Sequence, residues 1–138
     1  MGMDYELTIT AELKNLSVLR HFVKETAAKM NANGEAVEDL IQAVDESATN
    51  IIVHGYKGQE GTIEARMGRE GDRLVVSLRD RAPLFDPTQV PPPDLMAPPE
   101  KRCFGGLGMH FVRNFTDKVV YQITPEGGNE LTMWKTVK

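Results

Sequence analysis

The sequence predicts an α+β two-layer sandwich: a mixed, largely antiparallel sheet with helices on one face. Apolar residues alternate with period two in short runs and recur at three- and four-residue spacing in longer ones. The two kinds of run are grouped along the chain rather than regularly alternating, which argues against a doubly wound parallel sheet. A length of 138 residues fits one domain, residues 1–138. About two thirds of the unfolded chain's surface is buried in a domain of that size.

Residues 4 to 11 place Tyr5, Leu7 and Ile9 on alternate positions, a half-buried strand suited to a sheet edge. Leu16, Leu19, Phe22, Val23, Ala27 and Met30 then mark an amphipathic helix over 15–31, ended near Asn33-Gly34. A second helix runs from Glu35 to about His54, with Val37, Leu40, Ile41, Val44, Ala48, Ile51 and Ile52 as its apolar stripe and Gly55 as its stop. Strand-like runs over 61–67 and 73–80 flank a turn at Arg69-Glu70-Gly71-Asp72 and read as a hairpin. Seven of the eight prolines lie between Pro83 and Pro99, which makes a long loop from about Arg81 to Phe104. GGLGMHFVRNF opens a short helix, and residues 117–124 and 130–137 form a second hairpin around Glu126-Gly127-Gly128-Asn129.

Sixteen basic against twenty acidic residues give a net charge of -4, with the basic ones scattered, so direct nucleic-acid binding is not expected. Apolar stretches fall far short of the roughly 20 residues a membrane span needs. The acidic start MGMDYELTIT has no signal-peptide pattern, and the single Cys103 excludes an internal disulfide framework. The expected location is the cytoplasm. No Cys/His cluster has zinc spacing. Trp134 and the methionines read as core or interface filling.

Three segments are candidates for chemistry. Glu46, Asn50 and His54 are spaced four apart and share one strip of the second helix, away from its apolar stripe. A solvated polar face is the plain alternative, but Asn is a mediocre interior helix residue. An amide oxygen suits Mg²⁺, which shares its shell with phosphates, and a Glu one turn earlier suits a general base. His54 either lines the edge of such a site or helps end its helix. Asp80 ends an apolar strand; it is either a turn former or an acceptor for an exocyclic amine such as adenine N6. Gly105-Gly106-Leu107-Gly108, between loop and helix, is either a hinge or a set of backbone N–H groups open to an anion. His21 and His110 read as structural or surface residues, and Cys103 as a small filler without a neighbouring base.

In this order the segments DESATNIIVHG, RDRAPLFDP, GGLGMHFVRNFTD and GGNELTMWK resemble the ATP-binding domain shared by gyrase, heat-shock chaperones, histidine kinases and mismatch-repair ATPases, the Bergerat fold. More narrowly, the chain resembles the stand-alone anti-sigma factor serine/threonine-protein kinases, over nearly its whole length. The resemblance implies ATP and Mg²⁺ as cofactors, Glu46 as catalytic base and Asn50 as Mg²⁺ ligand. It implies Asp80 as the adenine-binding acid, and Gly106, Leu107 and Gly108 as the phosphate-binding turn, flanked by Gly105 and Met109. The Pro-rich segment, about 81–104, corresponds to the ATP lid, and Thr132 to a small hydroxyl residue near the adenine pocket. One departure stands out: the family's D-x-G is Asp80-Arg81-Ala82 here, which places a methyl near the base.

The implied function is an ATP-dependent anti-sigma regulatory factor that phosphorylates a serine of an anti-anti-sigma (STAS-type) partner, sequesters a sigma factor and forms a homodimer. The alternative is an ATP-binding partner-switch module with little or no transfer, favoured by Ala82 and the Pro-rich lid and opposed by Glu46. The catalytic half of a histidine kinase is disfavoured, because His21 in LRHFVKET lacks the acidic neighbour of a phospho-acceptor.

Overall fold

The computed structural model describes residues 3–89 and 106–137. Its strands are β1 (Tyr5–Thr10), β2 (Thr62–Glu70), β3 (Arg73–Asp80), β4 (Lys118–Ile123) and β5 (Asn129–Thr136). They form one sheet in the order β1-β2-β3-β5-β4. Every neighbouring pair is antiparallel, so among the described residues the sheet is wholly antiparallel rather than mixed. The chain leaves β3, returns as the edge strand β4, and turns back to insert β5 between them. That topology sets Asp80, last in β3, opposite Asn129, first in β5.

Helices α1 (Leu16–Lys29), α2 (Glu35–Asn50) and α3 (Gly106–Phe115) close the core on one face. Leu19, Val23 and Ala27 of α1 and Leu40, Val44 and Ala48 of α2 recur every four residues and are fully buried. They meet Ile63, Ala65 and Met67 of β2, Leu74, Val76 and Leu78 of β3, and Met133 of β5, the alternate positions of those strands.

The first helix stops earlier than Asn33-Gly34. Asn31 adopts the left-handed conformation (φ 61°), its N–H donates to the Ala28 carbonyl, and the Ala32 N–H donates to that of Ala27. These paired bonds satisfy the last carbonyls, and buried Ala32 seals the end. Gly34 caps the start of α2 instead. Gly55 does not stop the second helix either. After Asn50 the chain winds into a wider π-helical turn, Ile51–Tyr56, which ends at left-handed Lys57. Ile52 and Tyr56 are buried by this winding. The Tyr56 hydroxyl donates to the Thr62 carbonyl (2.8 Å) and accepts from the N–H groups of Arg81 (2.7 Å) and Thr62 (3.3 Å). Those contacts draw the helix end towards β2 and the exit of β3.

The opposite face of the sheet carries polar cross-strand pairs, such as Arg79 with Glu130 (2.6 Å) and Arg66 with Glu6 (3.5 Å). Trp134 belongs to this face and not to the core: it stands opposite Val75 and Lys118, with the Lys118 ammonium 4.9 Å from its ring centroid. The sheet face therefore has its largest aromatic roofed by cations.

Gly128 marks the closest approach between the hairpin and β3. A Cβ there would sit 2.5 Å from the backbone oxygen of Asp80. Gly128→Ala is expected to force β5 away from β3, costing roughly 1–3 kcal/mol as overpacking does. A thermal melt should fall by about 5–10 °C, and an unchanged melt would show that the strand end yields freely.

Candidate functional site

A cavity of about 330 Å³ opens between the end of α2, the π-turn, α3 and the ends of β3 and β5. That volume lies in the range of small-molecule sites. Asn50, Ile51 and His54 form its helix wall, Asp80, Asn129 and Leu131 its sheet floor, and Tyr121 and Met109 its far side. The segment after β3, from Ala82 to Phe85, makes the rim.

Asp80 is 7% exposed and Asn129 likewise. Oδ1 of Asp80 accepts from the Asn129 side-chain amide (2.8 Å) and from the Ala82 N–H (2.9 Å). Among the described residues no hydrogen bond occupies Oδ2, so the cavity floor offers one acceptor. Burial pushes the Asp80 carboxyl up, and the bonds from Asn129 and Ala82 oppose that shift. A planar ligand with an exocyclic amine fits this floor, because the amine satisfies the remaining oxygen.

Ala82 is accommodated without backbone strain. It is not among the described residues with positive φ, and its methyl is buried against Gly55, where an added Cβ would lie 3.1 Å away. The side chain absent at 55 makes room for the one present at 82. Alanine in place of the family's glycine is therefore free of backbone strain, and Ala82 still lines the cavity.

The predicted helix strip divides at the cavity edge. Asn50 and His54 line the cavity, whereas Glu46, half-buried one turn earlier, does not. Burial and then the adjacent Asp45 push the Glu46 carboxyl above its ordinary range. Asp45 itself pairs with Arg20 of α1 at 2.6 Å. Burial holds His54 below its ordinary value, so it is neutral at pH 7. Asn50 presents a half-buried amide at the cavity wall, a hard-oxygen donor that fits a Mg²⁺ shell completed by water and phosphate.

Gly106, Leu107 and Gly108 form the first turn of α3, and Met109 beyond them is buried against the cavity. Residues 90–105, which include Cys103, Gly105 and most of the segment expected to be a lid, lie outside the described residues. His110 contacts Asn114 (3.2 Å) one turn on, and His21 is exposed beside Glu25 (3.5 Å).

Thr132 is not part of the cavity. It stands opposite Ser77 and Val120 on the polar face of the sheet, the side away from Asp80. Asn129 occupies the place expected of it, three residues earlier, and an odd step along a strand reverses the face. Tyr121 and Phe85 were also not anticipated. The Tyr121 hydroxyl donates to Asn129 Oδ1 at 2.5 Å, and the Phe85 N–H donates to the same oxygen at 3.1 Å.

A model of the histidine kinase-like ATPase domain family matches residues 9–135. Curated relatives include the serine-protein kinases RsbW of Bacillus cereus strain Q1 and Bacillus anthracis strain CDC 684, each 28% identical over 137 residues. Those matches cover 96% of this chain and 84% of each relative. A solved structure of the RsbU and RsbW domains of a Mycobacterium tuberculosis protein superposes with a TM-score of 0.66 at 18% identity. It covers 96% of this chain, which spans 32% of that longer one, and the likeness concerns the fold. With a single antiparallel sheet, helices on one face and the cavity between them, the chain belongs to the histidine kinase-like ATPase domain family.

Proposed function

We propose that the protein is an ATP-dependent serine/threonine-protein kinase of the anti-sigma type, which phosphorylates a serine of an anti-anti-sigma, STAS-type partner and sequesters a sigma factor. The observation that carries the ATP half is Asp80: a buried carboxylate, one oxygen fixed by two donors, in the lining of a cavity of base-binding size. The transfer half is supported by Glu46, a carboxylate of raised pKa one turn before Asn50, and by relatives named serine-protein kinases. The reading takes residues 1–138 as one ATPase domain with its lid at about 81–104. It assigns the protein to the cytoplasm; among the described residues no helix is long and apolar enough to cross a membrane. Among the described residues edge strand β1 pairs on one side only, which supports association with a second copy.

In this mechanism Asp80 receives the adenine amine, and the apolar walls from Ile51, Met109 and Leu131 exclude water from the base. Asn50 would hold Mg²⁺, which when bound would supply neutralisation of charge on the phosphate oxygens. The first turn of α3 directs backbone N–H groups to the phosphates. Glu46 takes the serine proton as the hydroxyl oxygen bonds to the γ-phosphorus and the bond to the β-phosphate oxygen breaks, with ADP leaving.

A second reading keeps ATP binding and partner switching without transfer. It is favoured by the position of Glu46 outside the cavity lining. Calorimetric titration with ATP, with and without Mg²⁺ and with GTP as control, tests the shared part. Mg²⁺-dependent binding selective for ATP is expected, and no binding at millimolar ATP would overturn both readings. Incubation with an anti-anti-sigma protein and γ-labelled ATP then separates them, because serine phosphorylation occurs only under the first.

A further inference from the structure

One side chain joins the base-binding floor to the rim of the cavity. Asn129 donates through its amide nitrogen to Asp80 Oδ1 (2.8 Å) and to the carbonyls of Ala82 (3.1 Å) and Pro83 (3.4 Å). Its carbonyl oxygen accepts from the Phe85 N–H and the Tyr121 hydroxyl. The two acceptances on the oxygen fix which way the amide faces, so it is the NH₂ that reaches Asp80. An asparagine in a hairpin turn needs none of these contacts to make the turn.

We propose that Asn129 is the positioning residue that selects an amino-bearing base: it holds Asp80 as an ionised acceptor and fastens residues 82–85 to the same point. This rests on the reading that the cavity takes the adenine of ATP. The selection follows from hydrogen-bond polarity. An ionised Asp80 can only accept, so it pairs with the 6-amino group of adenine and rejects the 6-keto group of guanine. A protonated Asp80 can donate, and the discrimination is lost. Desolvation of the carboxyl favours the protonated form, and the donor from Asn129 opposes it.

Other charged or titratable groups surround Asp80. Tyr121 on β4 and Asp86 beyond the rim act on each other electrostatically, Arg81 follows in sequence, and His54 and Lys57 line the helix side. Burial lowers the His54 pKa, so its charge changes on the acid side of neutrality. The experiment therefore uses the full chain in a His54→Gln background, with and without Asn129→Leu, titrated calorimetrically with ATP and GTP between pH 5 and 8.

For the protein retaining Asn129, ATP preference persists through neutral pH and declines only as acid protonates Asp80. Asn129→Leu is expected to cut the ATP-to-GTP affinity ratio by about tenfold or more at pH 7. It should also move the acid decline of ATP affinity to higher pH, because the folded carboxyl loses the bond that favours its charge. A variant that melts lower but keeps both the ratio and the decline would overturn the inference, leaving Asn129 a purely structural tie. If the leucine variant does not fold, Asn129→Ala removes the donor in less volume and is read the same way. Unsubstituted protein that binds neither nucleotide overturns the ATP reading itself, whereas one that prefers ATP beside a variant that prefers it equally overturns this inference alone.

Discussion

Glu46→Gln is expected to reduce phosphoryl transfer by about 100-fold or more while leaving ATP affinity within about threefold. The two halves of that result come from different features of the same helix. Glutamine keeps the shape and volume at a half-buried position, so α2 and the cavity wall carried by Asn50 persist. Since Glu46 does not line the cavity, the nucleotide loses no direct contact. What disappears is the proton acceptor. Burial and Asp45 raise the Glu46 pKa, which makes the carboxylate a stronger base than an exposed glutamate. The same shift sets the pH dependence. Transfer requires the ionised form, so activity falls on acidification, beginning at a higher pH than an ordinary glutamate would give. Loss of ATP binding together with transfer would remove Glu46 from the role of base. Retention of transfer would leave positioning alone to explain catalysis.

Asp80→Asn is expected to weaken ATP by about 100-fold, as when a site built for a hydrogen bond meets the wrong polarity. Asn129 and the Ala82 N–H both donate to Oδ1, so an asparagine at 80 turns its own carbonyl to them. Its NH₂ then faces the cavity, and a donor meets the adenine amine. The same NH₂ suits a keto group, so GTP should lose little or gain, and the ATP preference should collapse or reverse. Inorganic triphosphate, which lacks the base, should be affected by no more than about threefold. Equal losses for ATP and triphosphate would refute base recognition at Asp80. A loss for ATP without a relative gain for GTP would mean that the amide does not reorient as the two donors require.

These residues differ in how far the chain alone reveals them, and the difference is one of range. Glu46, Asn50 and His54 are related by helical period, so their shared strip follows from spacing within nine residues. Asp80 is recognisable because an apolar run ends on it. Asn129 is not, because its role depends on which residue of β3 it faces, a register set across a sequence separation of 49. In sequence it is an asparagine after two glycines, the usual composition of a turn. Thr132 looked suitable by chemistry alone, and strand alternation turns it to the wrong face. Trp134 is read from its size as core or interface filling, and its register excludes the core and puts it beside Lys118. Helix ends fail for a local reason. Asn31 shares with glycine a tolerance for the left-handed conformation, so the stop falls three residues before Gly34.

The Tyr56 hydroxyl, bonded at once to Thr62 and Arg81, ties the two sides of the site together. The helix wall and the sheet floor cannot separate without breaking the same bonds, so they should open as one cooperative unit. Amide hydrogen exchange at Arg81 and Thr62 should then report a common opening free energy with the end of α2. A nucleotide entering such a site meets walls that are already ordered. The entropic cost of binding then falls on the ligand more than on these walls.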